Sequence, residues 1–181
     1  MTKTFAQRPY QVMTVCTGNI CRSPMAEIML RQEFRRAGLN VVVTSTGVSD
    51  EEAGNGIDRR AAHTLQRHQF PAGENHRAQQ VTFSDLSDAD LVIPMTAYHA
   101  RAIRKLAKAG GAYPEIRLMR AFDPKAPATA DESDEYLLDV EDPWYGGEEQ
   151  FETTYHQIES AIPGVIKHVA AQLAQEEPKA A

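Results

Sequence analysis

Apolar residues along this chain follow two patterns, short β-branched runs and longer stretches with helical spacing. The short runs predict four strands, at residues 11–16, 40–44, 90–94 and 115–119. The helical spacing predicts helices at residues 22–37, 58–68 and 96–108, and a last helix from residue 148 onwards. Because Pro163 lacks a backbone N–H, we expect a kink or a break in the last helix at Pro163-Gly164.

The alternation of strands and helices predicts an α/β fold of three layers, a four-stranded parallel sheet flanked by helices on both faces. The 181 residues contain no internal repeat and no linker-like stretch, so we expect a single domain over residues 1–181. In such folds, ligands bind beyond the carboxyl ends of the strands. The loop after the first strand lies at that edge.

Helix boundaries and loops follow from residues with special backbone preferences. Ser23, just before Pro24, is expected to cap the first helix, and Asp58 the second. Gly38 is expected to end the first helix. Residues 49–57 are polar and contain glycine, which predicts a loop. Residues 123–147 lack both periodicities and predict a long loop, and long loops in compact domains are often functional or mobile.

Composition narrows the class of protein. Hydrophobic residues make up 42% and charged residues 24%, which is typical of a globular domain. The formal net charge of −6 argues against a surface for nucleic acid or for an anionic membrane. No run approaches the roughly 18 apolar residues of a membrane span, and the N-terminal residues lack the apolar core of a secretory signal. We therefore expect a cytoplasmic enzyme or binding domain.

Both cysteines lie in one short stretch, VCTGNICRSP at residues 15–24, between the first predicted strand and the first predicted helix. A loop in this position points several backbone N–H groups at one spot, and the helix dipole adds partial positive charge. Gly18 permits a tight curl, and Asn19 tolerates a left-handed backbone. Arg22 offers a planar fork to two phosphate oxygens. The stretch therefore predicts a phosphate site.

Cys16 is the candidate nucleophile, because it ends the strand and is expected to face the loop. The loop N–H groups, the helix dipole and Arg22 would stabilise its thiolate. A thiolate can attack phosphorus and take the phosphoryl group covalently. Since the loop and Arg22 already hold the equatorial oxygens, we expect neither a metal nor another cofactor.

Three other interpretations of the cysteines compete with this one. A buried structural Cys16 would leave Arg22 and the glycine turn unexplained. A structural zinc site needs four ligands, and the chain has two cysteines. The six histidines show no compact pair along the sequence; they are His63, His68, His76, His99, His156 and His168. A redox pair of Cys16 and Cys21 stays open as an addition to phosphate chemistry.

A general acid is expected in the stretch DVEDPWYGG at residues 139–147. Hydrolysis of an aryl phosphate gains rate when an acid protonates the leaving oxygen. Asp142 precedes Pro143, which restricts the Asp142 backbone to extended forms. Trp144 and Tyr145 are expected to form walls for a phenyl ring. Taken alone, however, Asp-Pro also marks a turn and Trp144 could belong to the core.

CTGNICRS at residues 16–23 and DPWYGG at residues 142–147 together resemble the low-molecular-weight protein tyrosine phosphatases. STG at residues 45–47 resembles the S-A-G stretch of that family, and HRAQQV at residues 76–81 resembles its H-x-A-R-Q stretch. The resemblance covers nearly the whole chain. It implies a four-stranded parallel sheet and a phosphatase that acts through a phosphocysteine.

The resemblance also implies a role for each matching residue. Cys16 is the nucleophile, Asp142 the general acid and then base, and Arg22 the phosphate ligand. Loop N–H groups from Thr17 to Arg22, including those of Gly18, Ile20 and Cys21, bind the phosphoryl oxygens. Ser23 supports the thiolate, and Asn19 holds the loop shape with Ser45 and His76 as partners. Cys21 can form a reversible disulfide with Cys16.

Three positions depart from the family pattern. Ser49-Asp50-Glu51 stands where the family often has S-D-W, so one wall of the substrate slot is expected to be acidic. Gln79 replaces an arginine. Met95 begins a stretch, MTAYH, that lacks the carboxylate expected to pair with the position of His76. These departures concern how the loop is supported.

Related activities give rival predictions. A protein arginine phosphatase would have threonine where this chain has Ile20, and an apolar residue suits a tyrosine ring better. An arsenate reductase would need a third cysteine. A phosphotyrosine-binding module without catalysis could lose Cys16 or Asp142, and both are present. We therefore expect a monomeric enzyme whose partners are phosphotyrosine proteins.

Overall fold

Strands and helices alternate along residues 8–176, the part of the chain that the computed structural model describes. The strands are β1 (Tyr10–Cys16), β2 (Val41–Gly47), β3 (Leu91–Pro94) and β4 (Glu115–Ile116). The α-helices are α1 (Arg22–Arg36), α2 (Arg59–Arg67), α3 (Phe83–Asp88), α4 (Ala97–Gly110) and α5 (Glu148–Glu176). Two 3₁₀ helices, Met119–Phe122 and Glu132–Leu138, lie between β4 and α5.

The four strands form one parallel sheet in the order β2-β1-β3-β4. Both faces of the central strand β1 are buried, because its successive side chains point to opposite sides. Val12 packs in a core cluster with residues of α1 and α5. Met13 and Val15 pack in a second cluster with residues of α3 and α4. The predicted four-stranded parallel α/β fold is confirmed. The carboxyl end of β1 lies between the carboxyl ends of β2 and β3.

Several boundaries agree with the residues that predicted them. Asp58 accepts a hydrogen bond from the backbone N–H of Arg60 at 2.7 Å and so caps α2. Gly38 follows α1 with a φ of 69°, a left-handed conformation that favours glycine. No helix within residues 8–176 is both long and apolar enough to cross a membrane.

The predicted break in α5 is wrong, because the helix runs without interruption from Glu148 to Glu176 with Pro163 inside it. Buried Ile162 and Val165 fix this turn against the core. Gly164 serves close packing instead: a Cβ at this position would lie 2.0 Å from the carbonyl oxygen of Phe122. Tertiary packing thus outweighs the hydrogen bond that proline removes.

Other differences concern short elements. β4 has two residues rather than the five predicted, and residues 123–147 contain a 3₁₀ helix inside the predicted loop. The sequence analysis missed α3, which starts with a capping box between Thr82 and Asp85. At six residues, α3 is too short to show a clear helical period.

Candidate active site

The loop of residues 16–23, here called the cysteine loop, connects the end of β1 to the start of α1. Asn19 has a left-handed backbone with a φ of 59° and is fully buried. The side-chain nitrogen of Asn19 donates to the hydroxyls of Ser23 and Ser45, each at 2.9 Å. Its side-chain oxygen accepts the backbone N–H of Gln79 at 3.0 Å. The curl of the loop is therefore fixed from inside.

The contact of His76 differs from the one expected. Its Nε2 atom lies 2.6 Å from the backbone carbonyl oxygen of Asn19, not from the side chain. Ser45 in turn donates its hydroxyl to the carboxylate of Glu27, a buried residue that the sequence analysis missed. Gln79, one of the departures from the family pattern, supports the loop through its backbone N–H, which every residue type except proline has.

Gly47, at the end of β2, allows the cysteine loop to approach the sheet. A Cβ at this position would lie 2.4 Å from the carbonyl oxygen of Thr17 and 3.1 Å from the backbone nitrogen of Asn19. Real Cβ atoms do not come so close to backbone atoms. The glycine is thus required by space rather than by its own dihedral angles.

Cys16 lies almost fully buried beneath the loop, with its sulfur 3.0 Å from the hydroxyl oxygen of Ser23. The expectation that Ser23 caps α1 is wrong: the helix begins at Arg22, Cys21 occupies the capping position, and no side chain caps it. The Ser23 hydroxyl also lies 3.2 Å from the carbonyl oxygen of Thr46, so its single proton can be donated either to that oxygen or to a Cys16 thiolate. Its position beside the sulfur fits support of a thiolate.

Cys21 is a second free, buried thiol in the loop. Burial raises the pKa of the Cys21 thiol above its ordinary range, and the nearby carboxylate of Asp58 raises it further. A buried, protonated thiol is a poor nucleophile and a poor metal ligand. A protonated Cys21 is therefore unsuited to act as the nucleophile of the loop.

The buried guanidinium of Arg22 reaches over the loop from the start of α1. Its Nη2 atom donates to Oδ2 of Asp142 at 2.6 Å and to the hydroxyl of Thr17 at 3.4 Å. Its Nη1 atom donates to the carbonyl oxygen of Val140 at 3.4 Å. Asp142 is half exposed, and its other oxygen accepts the backbone N–H of Trp144 at 3.1 Å. The structure thus brings Arg22 and Asp142 together across 120 residues.

A cavity of about 200 Å³ opens above the sulfur of Cys16. Its lining combines the loop, residues 142–145 and two glutamates, namely Cys16, Thr17, Gly18, Ile20, Cys21, Arg22, Glu51, Glu52, Asp142, Trp144 and Tyr145. The aromatic walls are exposed rather than part of the core: Trp144 is 40% and Tyr145 97% accessible. The mouth of the cavity is acidic on the side of Glu51 and Glu52.

His99 is a neighbour of the loop that the sequence analysis missed. Its Nε2 atom lies 2.9 Å from the Thr17 hydroxyl, and its Nδ1 atom lies 2.9 Å from the Thr96 hydroxyl. Burial, followed by the Arg22 guanidinium, lowers the pKa of His99 to about 3. The imidazole is therefore neutral at neutral pH and adds no charge beside Arg22. His99 lies in the MTAYH stretch, which was noted for its missing carboxylate.

Arg60, near the start of α2, was also missed. Its Nη1 atom donates to the carbonyl oxygens of Trp144 at 3.1 Å and Gly146 at 2.8 Å. Both carboxylate oxygens of Asp58 accept hydrogen bonds from the same guanidinium. Burial of Asp58 opposes its charge, but the hydrogen bonds from Arg60 outweigh burial and lower the pKa of Asp58. Arg60 thus ties the backbone that follows Asp142 to α2.

The fold and the cysteine loop define an α/β protein with a buried cysteine and a buried arginine at the carboxyl end of its central strand. The chain belongs to the low molecular weight phosphotyrosine protein phosphatase family, whose sequence model matches residues 11–176. It is 43% identical over 172 residues to the low molecular weight protein-tyrosine phosphatase A of Mycobacterium tuberculosis, covering 94% of this chain and 98% of that protein. The predicted family and the expectation of an enzyme are thus confirmed.

Among the solved structures with the same fold, one is named for an arginine phosphatase rather than for a tyrosine phosphatase. YfkJ from Bacillus subtilis has a TM-score of 0.79 at 25% identity, covering 92% of this chain and 98% of its own. An arginine phosphatase from Drosophila has a TM-score of 0.75 at 25% identity, covering 87% of this chain and 96% of its own. The fold alone therefore does not distinguish phosphotyrosine from phosphoarginine.

Proposed function

We propose that this protein hydrolyses phosphotyrosine in proteins through a phosphocysteine intermediate, with Cys16 as the nucleophile. The observation that carries the proposal is one cavity, with the Cys16 sulfur at its base, Arg22 beside it and Asp142 at its rim. Nucleophile, anion ligand and acid are the three groups that phosphoryl transfer without a metal requires.

In the first step, the phosphoryl oxygens accept hydrogen bonds from the N–H groups of the cysteine loop and from the guanidinium of Arg22. The Cys16 thiolate, supported by the Ser23 hydroxyl at 3.0 Å, attacks phosphorus. A P–S bond forms as the bond between phosphorus and the tyrosine oxygen breaks. Protonated Asp142 gives its proton to the leaving oxygen, which departs as neutral tyrosine.

In the second step, the ionised Asp142 takes a proton from a water molecule, and the water oxygen attacks phosphorus. The P–S bond breaks, inorganic phosphate leaves, and the thiolate of Cys16 is restored. Asp142 ends the cycle protonated, so protons balance over the two steps. The 3.1 Å hydrogen bond from the Trp144 backbone holds the carboxylate at the rim in both steps.

The walls of the cavity favour an aromatic substrate. Ile20 lines the cavity beside Trp144 and Tyr145, and an apolar slot of this kind suits a phenyl ring. Glu51 and Glu52 support a second candidate, a protein arginine phosphatase, because carboxylates at the mouth can bind a guanidinium. We favour phosphotyrosine because buried Ile20 gives the cavity an apolar wall next to the two cysteines of the loop, and because two of its other lining residues, Trp144 and Tyr145, are aromatic. Action as a cytoplasmic monomer stays a prediction.

The test compares a phosphotyrosine peptide with a phosphoarginine peptide of the same flanking sequence, in the presence of EDTA. We expect phosphotyrosine to be hydrolysed with the higher kcat/KM and Cys16→Ser to abolish turnover of both. Quenched reactions with ³²P-labelled substrate should label the native chain and leave Cys16→Ser unlabelled. A preference for phosphoarginine would select the second candidate, and turnover by Cys16→Ser would overturn the role of Cys16.

A further inference from the structure

Two histidines and a glutamate come together on the side of the protein where α2 ends. His68 follows the last residue of α2, while Glu152 and His156 lie one turn apart on α5. One ligating atom of each lies within 4.8 Å of the other two. The sequence analysis missed this cluster, because packing of α2 against α5 joins His68 to two residues that are more than 80 positions away.

The ligating atoms lie close enough together for small shifts to place them around one ion. Nε2 of His68 lies 2.7 Å from Oε2 of Glu152, and Nε2 of His156 lies 3.9 Å from the same oxygen. Ligands 2.0–2.2 Å from a tetrahedral zinc ion stand roughly 3.3–3.6 Å apart. The first distance must therefore widen by about 0.6–0.9 Å, and the second shorten by about 0.3–0.6 Å. Such shifts are within the reach of side-chain rotations.

The environment already orients the three groups. The His68 ring stacks on Tyr155 with centroids 3.7 Å apart and planes 11° apart, which fixes the direction of its nitrogens. Nδ1 of His156 lies 3.0 Å from a carboxylate oxygen of Glu159, so its Nε2 atom is left to face the centre. A carboxylate on the far nitrogen of a histidine is typical of metal ligands, because it fixes the ring and raises its basicity.

Glu152 has one carboxylate oxygen with unused hydrogen-bonding capacity. Its Oε1 atom is buried and accepts no hydrogen bond from any group within residues 8–176. The guanidinium of Arg67 lies 3.4 Å from this oxygen and balances part of its charge without donating to it. A metal ion held by Glu152 would supply the missing contact and offset the remaining cost of burial.

We propose that His68, Glu152 and His156 bind a divalent cation of the zinc class, separate from the catalytic cavity. Two imidazoles and a carboxylate are a ligand set that suits zinc, with water completing the tetrahedron. The site would link the end of α2 to α5 and stabilise their packing. α2 spans about 15 Å between Asp58, beside the cavity, and His68, so the cation takes no part in the phosphoryl chemistry.

The measurement is the binding of ZnCl₂ by isothermal titration calorimetry, with thermal unfolding as a second readout. Zinc could also bind the thiols of the cysteine loop, so the reference protein carries Cys16→Ser and Cys21→Ser. In this background we expect one zinc per chain and a higher unfolding temperature with zinc, since a ligand of the native state stabilises it. Absence of binding without the thiols would overturn the proposal.

Two variants of the ligands and one matched control locate the site. His156→Ala, at an exposed position, and Glu152→Gln, of nearly equal shape, should each weaken zinc binding about tenfold or more. His63→Ala, an exposed histidine on α2, should bind zinc like the reference. Equal affinity in all three variants would place the zinc elsewhere and reject the site. Because no step depends on turnover, the result is independent of the proposed function.

Discussion

The guanidinium of Arg22 and the carboxylate of Asp142 form an ion pair, with Nη2 of Arg22 2.6 Å from Oδ2 of Asp142. One partner is buried and the other half exposed. In the proposed mechanism Arg22 binds phosphoryl oxygens and Asp142 is protonated before the first step. Phosphate binding to Arg22 and protonation of Asp142 each end the ion pair. In the free enzyme, Arg22 and Asp142 are therefore bound to each other until substrate arrives.

The ion pair predicts that Asp142→Ala binds inorganic phosphate more tightly than the native protein. The substitution frees Arg22 and removes a negative charge from the rim. Because Asp142 is half exposed, solvent limits the gain to about two- to fivefold. The inhibition constant for phosphate at pH 7 measures it. Glu141→Ala, which removes the same charge one residue away, should leave the constant unchanged, and weaker inhibition of Asp142→Ala would contradict the prediction.

The role of Asp142 as an acid predicts a dependence on the leaving group. Asp142→Ala should slow hydrolysis of phenyl phosphate about 10²- to 10⁴-fold. The loss should be much smaller for p-nitrophenyl phosphate, because p-nitrophenolate leaves without a proton. The measurement is kcat/KM of the variant relative to the native protein on each substrate, because kcat/KM reports the steps up to departure of the leaving group and not the later step in which Asp142 acts as a base. Equal losses on both substrates would remove Asp142 as the proton donor.

Arg60 should position the backbone around Asp142. Arg60→Lys keeps the charge but cannot bridge the two carbonyl oxygens and Asp58 at once. We expect a loss of about 1 to 2 kcal/mol in the free energy of unfolding and a lower kcat on a phosphotyrosine peptide, measured by urea denaturation and steady-state kinetics. Arg59→Lys, at the exposed neighbour, is the matched control. Native turnover in Arg60→Lys would show that the acid is positioned without it.

Gly47→Ala should distort the cysteine loop. The new Cβ would lie 2.4 Å from the carbonyl oxygen of Thr17, so the loop must shift away from β2. Overpacking of this kind costs about 1 to 3 kcal/mol, and displacement of the loop N–H groups should lower kcat/KM sharply. Gly56→Ala provides the control, because a Cβ there has open space around it. If both variants keep native activity, the close approach is not needed for the site.

His99 should make stability depend on pH. Burial first, and Arg22 second, lowers the pKa of His99 from 6.5 to about 3. Between these two pH values, the unfolded chain binds more protons than the folded one. The contribution of His99 to the free energy of unfolding is therefore present above pH 6.5 and is lost as the pH falls towards 3.

His99→Gln removes this titration while it keeps a hydrogen-bonding side chain. We expect the stability difference between the native protein and His99→Gln to shrink below pH 6.5, by at most about 1.4 kcal/mol per pH unit. Urea denaturation at pH 7.5 and pH 5.0 measures it. His63→Gln, an exposed histidine, should follow the native curve. A constant difference for His99→Gln would show that the imidazole is not held neutral by the fold.

Much of the fold was predictable because its signals are local. β1, β2 and β3 each contain several β-branched residues. Asp58 and Gly38 mark helix ends through preferences that involve only residues adjacent in sequence. The errors have a tertiary cause. Pro163 lies inside an unbroken helix because packing of its neighbours outweighs one missing hydrogen bond.

The sequence by itself determined the cysteine loop, because a strand end, a curled turn and a helix start are all contained in residues 15–24. Tertiary structure alone decided which distant residues contact this loop and its neighbours. These contacts are the ion pair of Arg22 with Asp142, the neutral His99 beside Thr17, and the hydrogen bonds from Arg60 to the backbone after Asp142. The same holds for His68, Glu152 and His156. Backbone geometry at a turn depends on adjacent residues, whereas these contacts depend on how helices pack on the sheet.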